Sequence, residues 1–480
     1  MKKILLPLLL MISGFASAQL NNSWIDYSKT YFKFKISQDT LCRIYGGTLA
    51  TAGLQNTPVE DFQLWRNGKE VRIYTSVSSG TLGTNDYIEF WGLMNDGEAD
   101  NQLYRKPEFQ LNKRFSLETD TVAYFLTSNS AGANLRYNDA VNIPSGTMTP
   151  EPYFMRTENY YYRKQINRGY AYVVEEYVYS SAYDIGEGWT SNDPSTCCDL
   201  SWKFLNLNVY TTGPQNSFSI KLNAAGNATN SDRNLKIKLY DNEVFNEPMP
   251  GFAYKKAEVN NLPLSMLQNA NQAIITATGT SANTNDRFVL ASISIKFPSK
   301  FIFNNQKFFE FSIDPSATAK YLLINSFNFG TVAPVLYDKT EGKRYVGDIS
   351  QAGKVKFVLP PSTSIRDFIL VSQDNYSNSI NNLTQRNFID FSATANQGDY
   401  LIITNKDLFN DGNGNNYPED YRLYRNSTPG GNHNAKIYEI GELTDQFAFG
   451  IKTHPAAIRD FVRYAKQNFS TNPEHAFIIG

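Results

Sequence analysis

Few residues of this chain can do nucleophilic or acid–base chemistry, and they lie far apart in the sequence. A thiolate nucleophile needs an imidazole within hydrogen-bond reach, which takes up its proton and later protonates the leaving group. The cysteines all precede residue 200 and the histidines all follow residue 430, so no spacing pairs them. We interpret the histidines as structural or solvent-facing and assign no catalytic role to any of these side chains. The residues concerned are Cys42, Cys197, Cys198, His433, His454 and His475.

The three cysteines leave the disulfide pattern open. An odd number means that at least one thiol is unpaired or joined to another chain. Cys197 and Cys198 are neighbours, and neighbours rarely bridge each other because the geometry is strained. A bridge from Cys42 to either of them and three free thiols are both compatible with the sequence.

A run of alternating oxygen side chains raises the question of a metal site. Asp411, Asn413 and Asn415 alternate in NDGNGNN, and such ligands can bind calcium. A helix–loop–helix calcium loop would need Gly and Glu where Asn416 and Arg422 stand, so a Gly/Asn-rich surface turn is favoured. There is also no zinc-type Cys/His spacing, phosphate-cradling glycine loop or GxSxG. We expect neither a metal nor another cofactor.

The amino terminus has the pattern of a signal peptide. Lys2 and Lys3 precede an apolar run, and Ala16-Ser17-Ala18 is a small-x-small cleavage pattern, so we assign residues 1–18 to the signal peptide. The run is shorter than the ~20 residues that span a bilayer, and we predict no membrane-spanning segment. We expect an exported protein, in the periplasm, on the outer-membrane surface or outside the cell. The net charge of −1 gives no reason to expect nucleic-acid binding.

Short apolar and aromatic runs separated by turn residues predict β structure as far as residue 395. We divide this part into an N-terminal β domain (19–150), a β-sandwich-like domain (151–298) and a third β region (299–395). Asn67-Gly68 lies between two alternating arms and predicts a two-residue hairpin turn. The run YAYVVEEYVY (170–179) is interpreted as one strand.

The pattern changes to α/β over residues 399–480. Residues 400–404 form a continuous apolar run, which is typical of a strand buried in a parallel sheet. Helices are predicted over 417–426 and from Pro455 onward, and further strands over 435–440 and 475–480. Strand and helix alternation predicts a parallel sheet, whose ligand sites lie beyond the carboxyl ends of the strands. The sequence therefore predicts a mostly β protein followed by the start of an α/β domain.

Three segments of this α/β part carry a family resemblance. YLIITNKDLF (400–409), DQFAFGIKTHPAAIRDFVRYA (445–465) and HAFIIG (475–480) resemble the opening of the gingipain-type cysteine peptidase domain, which has a caspase-like fold. Upstream, DYIEFWG and EGWTS are similar to segments of the sortase-like members that serve the type IX secretion system. The resemblance implies protein or peptide substrates, cleavage of C-terminal sorting signals, and partners in the secretion system or at the cell surface.

The family's dyad consists of a His-Gly histidine and a later cysteine. No histidine here is followed by Gly, and residues 399–480 contain no cysteine. We therefore expect the dyad to lie beyond this chain, the chain alone to be inactive, and residues 399–480 alone to be poorly ordered or aggregation-prone. The alternative is a non-catalytic surface or periplasmic binding protein whose β modules engage carbohydrate or a secretion partner.

Overall fold

The structure is a computed structural model that describes residues 22–144, 148–194, 198–227 and 231–480. The assigned signal peptide, residues 1–18, lies outside the described residues. The described chain forms two compact units. The larger unit comprises Lys29–Asn387 and Ile451–His454, and the smaller unit comprises the described residues up to Ser28, Phe388–Gly450 and Pro455–Gly480. Within the described residues, no helix has the length and apolar character needed to cross a membrane.

The larger unit is built almost entirely of strands. Its described residues up to 150 include the short α-helix α1 Gly46–Thr51, and the strands β1 Tyr31–Ile36, β2 Thr40–Tyr45, β3 Phe62–Arg66, β4 Lys69–Val71, β5 Tyr74–Thr75, β6 Tyr87–Gly92, β7 Val122–Ser128 and β8 Asn138–Ala140. The next strands are β9 Phe154–Tyr161, β10 Gln165–Asn167, β11 Ala171–Val174, β12 Glu176–Tyr179, β13 Gly188–Thr190, β14 Leu200–Leu205, β15 Phe218–Asn227, β16 Asn234–Leu239, β17 Asn242–Pro248, β18 Tyr254–Leu262, β19 Gln272–Thr280 and β20 Arg287–Ser299. The last are β21 Ile302–Gln306, β22 Phe308–Ile313, β23 Lys320–Phe327, β24 Val335–Asp338, β25 Lys343–Val346, β26 Lys354–Leu359, β27 Arg366–Val371, β28 Ser377–Ser379 and β29 Thr384–Arg386.

The predicted hairpin at Asn67-Gly68 is present between β3 and β4. Both turn residues have positive φ, 48° and 70°, as a tight two-residue hairpin requires. In β1 the side chains of Phe32, Phe34 and Ile36, which alternate with Lys33 and Lys35, are all buried. Local sequence therefore determines these elements well.

Strands from the first and third β regions pair with one another. β29 joins β1 in a five-stranded sheet, β28 joins β2 in a four-stranded sheet, and β8 completes the sheet of β22, β27, β24 and β25. A buried charge cluster reinforces this pairing. The Glu89 carboxylate is fully buried, lies 2.6 Å from the Arg43 guanidinium and 3.4 Å from that of Arg344, and accepts a hydrogen bond from the Tyr337 hydroxyl.

The middle region forms two four-stranded antiparallel sheets around one core. Their strand orders are β14-β19-β16-β17 and β18-β15-β20-β9. Inward-facing side chains of both sheets, among them Phe218, Ile237, Ile275 and Leu290, belong to a single buried cluster. Two sheets packed over a shared core are the arrangement of a β-sandwich.

The prediction of one strand over residues 170–179 is wrong. The segment is a two-stranded hairpin, β11 and β12, in which Glu175 forms the turn with a φ of 66°. Alternating residues look the same in one long strand and in two short arms, so the sequence pattern did not show the turn. Most apolar side chains of the hairpin are exposed, including Val174 at 67%.

The smaller unit contains a three-stranded parallel sheet in the order β31-β30-β32 with helices between its strands. Its elements are β30 Tyr400–Thr404, α2 Tyr417–Asn426, β31 Ala435–Glu439, α3 Ile440–Phe447, α4 Ala456–Asn468 and β32 His475–Ile479. β30 is buried throughout, as predicted for a central parallel strand. The predicted order of fold classes, β regions followed by an α/β segment, is confirmed.

Two further features of this unit are the start of α4 and the exposure of the edge strand β32. Pro455 is the N-cap residue of α4 and makes no side-chain capping hydrogen bond. β32 is mostly exposed, with Phe477 and Ile478 presenting 42% and 58% of their surface. The sheet therefore has one apolar edge strand without cover among the described residues.

Candidate functional site

The carboxyl ends of β30, β31 and β32 form the edge of the sheet where ligand sites of parallel α/β folds lie. At the end of β30, Asn405 Oδ1 accepts a hydrogen bond from the Asp407 N–H at 3.0 Å. At the end of β31, the Glu439 carboxylate accepts from the N–H groups of Gly441 and Glu442, both at 2.9 Å. These side chains cap the elements that follow the strands and thereby fix the shape of the edge.

This edge offers amide, carboxylate and hydroxyl groups. The hydroxyl of Thr404, the last residue of β30, is buried and makes no hydrogen bond within the described part of the chain. Residues 393–480 contain no cysteine. The edge can therefore support a binding pocket, but this segment brings no thiol to it for nucleophilic catalysis.

His454 belongs to the larger unit. It is buried, and its Nε2 atom is 3.3 Å from Asp100 Oδ1. Asp100 also accepts hydrogen bonds from the Ser116 hydroxyl at 3.0 Å and from the Leu117 N–H at 2.8 Å. A carboxylate with several donors holds the imidazole in place, which supports the structural interpretation of His454.

His433 and His475 lie at the opposite edge of the sheet, where its strands begin. His433 is half-buried, His475 is exposed, and their ring centroids are 5.2 Å apart. Nothing in the sequence alone paired these two histidines with each other or with Glu474. The available signal was positional: all three residues stand at or just before the start of a strand, and the starts of parallel strands meet at one edge.

The two described cysteines, Cys42 and Cys198, differ in burial. Cys42 is a buried free thiol that donates to the Thr40 carbonyl at 3.7 Å. Burial raises the pKa of the Cys42 thiol to about 12, against a weaker opposing effect of a backbone hydrogen bond from Gly92. It is therefore protonated and unreactive at neutral pH. Cys198 is exposed, and Cys197 lies outside the described residues.

The Asp411 loop uses its carboxylate to fold back on itself. Asp411 Oδ1 accepts from the N–H groups of Asn413 at 2.7 Å and Asn415 at 3.1 Å, and Oδ2 accepts from the Asn415 side-chain amide at 2.7 Å. These hydrogen bonds, with that of the Asn415 side chain foremost, lower the pKa of Asp411 to about 2. The geometry favours the surface-turn interpretation.

Trp189 lies in the middle of β13 and has a partner for its indole N–H and for its ring. Its indole N–H donates to the Ser116 carbonyl at 2.9 Å, and the Arg163 guanidinium lies 5.0 Å from its ring centroid. These contacts support the interpretation of Trp189 as a packed aromatic residue.

Comparison with known proteins agrees with the geometry of the smaller unit. Residues 393–480 match the model of peptidase family C25, so the gingipain-type resemblance of this segment is confirmed. Among solved structures, dimeric latent PorU from Porphyromonas gingivalis is similar to 94% of this chain at 12% identity, with a TM-score of 0.51. The chain spans 41% of that protein's length.

Other comparisons add little. Two carbohydrate-binding modules are similar to 29% of the chain: CBM36, solved with calcium and xylotriose, and the CBM36-1 domain of a xylanase from the hindgut metagenome of Trinervitermes trinervoides. Their identities are 11% and 10%, they are covered over 98% and 96% of their own length, and their TM-scores are 0.19 and 0.18. These scores are too low to support an argument. No curated protein matches the chain.

Proposed function

We propose that this chain is part of an exported, type IX secretion sortase-like cysteine peptidase. It contributes the β domains and the first strands and helices of a C25 peptidase domain. The observation that carries the proposal is the match of residues 393–480 to the C25 family, in the segment that folds as a parallel sheet with intervening helices. The fold similarity to latent PorU over most of the chain supports the sortase-like assignment.

The proposed reaction is peptide-bond cleavage by a cysteine–histidine dyad. A thiolate attacks the scissile carbonyl, and the imidazole that accepted its proton then protonates the leaving amine. Residues 393–480 hold no cysteine, and the Cys42 thiol is buried and protonated. The proposal therefore places the dyad outside this chain, which would provide one wall of the site and the scaffold beneath it.

The cellular test is deletion of the gene followed by mass spectrometry of secreted cargo. The proposal expects cargo proteins that keep their C-terminal sorting signals and fail to attach to the outer surface. Complementation with the native gene should restore processing, whereas a version lacking residues 393–480 should not. Normal removal of the C-terminal sorting signals in the deletion strain would contradict the proposal. If the signals are removed normally but the cargo proteins are no longer retained at the surface, the non-catalytic binding function is favoured.

A biochemical test addresses the 480-residue chain directly. We expect the native chain to cleave no peptide. We also expect a thiol-directed substrate probe to leave Cys42 unlabelled in the native state; labelling of Cys42 after denaturation is the control. Cleavage by this chain that disappears in Cys42→Ser, Cys197→Ser or Cys198→Ser would contradict the placement of the dyad outside it.

A further inference from the structure

The amino ends of the three parallel strands are tied together by backbone hydrogen bonds. The Asp399 N–H donates to the Asn434 carbonyl at 3.2 Å, and the Asp399 carbonyl accepts from the N–H groups of Glu474 at 2.8 Å and His475 at 3.4 Å. The Asn434 N–H also donates to Asp399 Oδ1 at 2.9 Å. This edge therefore brings three potential metal ligands together, which we name the strand-start cluster: His433, Glu474 and His475.

The ligand atoms of the strand-start cluster are close enough to share one ion. His433, Glu474 and His475 each offer one atom, and these atoms all lie within 4.8 Å of one another. Asp399 Oδ1 is 3.6 Å from His433 Nδ1, and Glu474 Oε2 is 4.0 Å from His475 Nε2. In a tetrahedral zinc site with bonds near 2.0–2.1 Å, ligand atoms are about 3.4 Å apart. The Glu474 and His475 side chains are exposed, so their rotamers can adjust toward that spacing.

The surroundings of the strand-start cluster hold the imidazoles in position. The Tyr400 ring packs against both, with centroid distances of 5.1 Å to His433 and 5.2 Å to His475. Gly431 leaves room for His433: a Cβ atom there would lie 2.9 Å from His433 Nε2, and its φ of 104° also favours glycine. The His433 N–H donates to the Arg425 carbonyl at 3.0 Å, which fixes the loop that carries it.

We propose that the strand-start cluster binds a single divalent cation of the zinc class. Two imidazole nitrogens with carboxylate oxygens are a ligand set that zinc accepts in proteins, whereas calcium prefers six to eight oxygens. The Glu474 carboxylate and the Asp399 carboxylate beside His433 balance the charge of the ion. Because the ligands come from the starts of β31 and β32, which flank β30, the bound ion cross-links the sheet and stabilises the smaller unit.

The test is zinc binding by the full chain, purified without a polyhistidine tag and stripped with a chelator. We expect calorimetric titration to give one ion per chain, with no competition from calcium or magnesium. His475→Ala, at an exposed position whose replacement preserves the fold, and His433→Ala should each weaken binding by about tenfold or more. Asp411→Asn, which removes a carboxylate from a different loop of the same unit, is the matched control and should bind as the wild type does.

Two further measurements separate a specific site from loose association. Cobalt bound in place of zinc should give visible absorption bands, and these bands should be lost in His475→Ala. Zinc should slow the proteolytic loss of residues 399–480 in the wild type but not in the His475→Ala variant. The absence of stoichiometric binding, or equal affinity of the wild type and both histidine variants, would overturn the proposal.

Discussion

At the scale of single residues, Glu187 should make stability depend on pH. Burial raises the pKa of the Glu187 carboxyl from 4.5 to about 7, repulsion from Asp184 adds to this, and a hydrogen bond from the Asp184 N–H opposes it. Between these two pH values the folded chain keeps a proton that the unfolded chain has released. The contribution of this group to stability is therefore complete below pH 4.5 and is lost as the pH rises through about 7.

Glu187→Gln should remove this dependence, because glutamine stays neutral and its carbonyl can accept the same hydrogen bond. The unfolding free energy of the variant should equal that of the wild type below pH 4.5. Above pH 7 it should be higher by on the order of 1 kcal/mol, after allowance for the partial exposure of the side chain. Denaturant unfolding followed by tryptophan fluorescence measures the difference. Glu176→Gln, at an exposed carboxylate, is the control, and a difference that stays constant with pH would contradict the prediction.

A second residue-scale prediction concerns the fully buried pair of Arg233 and Asp286. Two hydrogen bonds of 3.0 and 2.9 Å join them, and the guanidinium also donates to the Gly251 carbonyl. Asp286→Asn leaves a buried guanidinium without its counter-charge and should cost about 3–5 kcal/mol of unfolding free energy. Lys221→Gln, which breaks an exposed pair in the same sandwich, should cost less than about 0.5 kcal/mol. Equal losses in the two variants would refute the argument.

The histidines show how far single residues can be interpreted from sequence alone. The position of His475 at a strand start was visible in the sequence, as was the absence of a neighbouring glycine or cysteine. The proximity of His433 to His475 was not visible in the sequence. It depends on the strand order β31-β30-β32, which places the starts of β31 and β32 on either side of β30. The burial of His454 against Asp100 likewise depends on residues more than three hundred positions apart.

At the scale of elements, local patterns determine the strands and helices but not their partners. The buried run of β30 and the Asn67-Gly68 turn were predictable because each depends on adjacent residues. The pairing of β28 with β2 and of β29 with β1 was not, because nothing local distinguishes those short polar strands from loops. The division at residues 150, 298 and 395 stays a prediction.

The β11–β12 hairpin leads to a prediction about solubility. Val174 and Val178 are exposed, at 67% and 49%, so they contribute little to the core and add apolar surface that favours association. Replacing both by Lys should raise solubility and shift the unfolding free energy by less than about 0.5 kcal/mol for each site.

Light scattering and denaturant unfolding measure these two effects of the hairpin substitutions. Leu290→Ala, in the sandwich core, is the comparison and should cost about 2–5 kcal/mol. A loss of stability in the double-Lys variant as large as that of Leu290→Ala would show that the hairpin is part of a packed core.

At the scale of the whole molecule, the two units should differ in local stability. The sandwich of the larger unit encloses a shared core between two four-stranded sheets. The sheet of the smaller unit has three strands, one of which, β32, is largely exposed. Segments with few buried apolar contacts open at lower free energy, so the smaller unit should open first.

Limited proteolysis of the full chain tests this difference. Cleavage should begin in the exposed loop around Gly412 and Gly414 and along β32, and it should remove parts of 399–480 while 29–387 remains intact. Mass spectrometry of the fragments over time measures the order. Resistance of residues 399–480 equal to that of the sandwich would contradict the prediction. It would show that three strands and their helices suffice for a cooperative unit even with an apolar edge exposed.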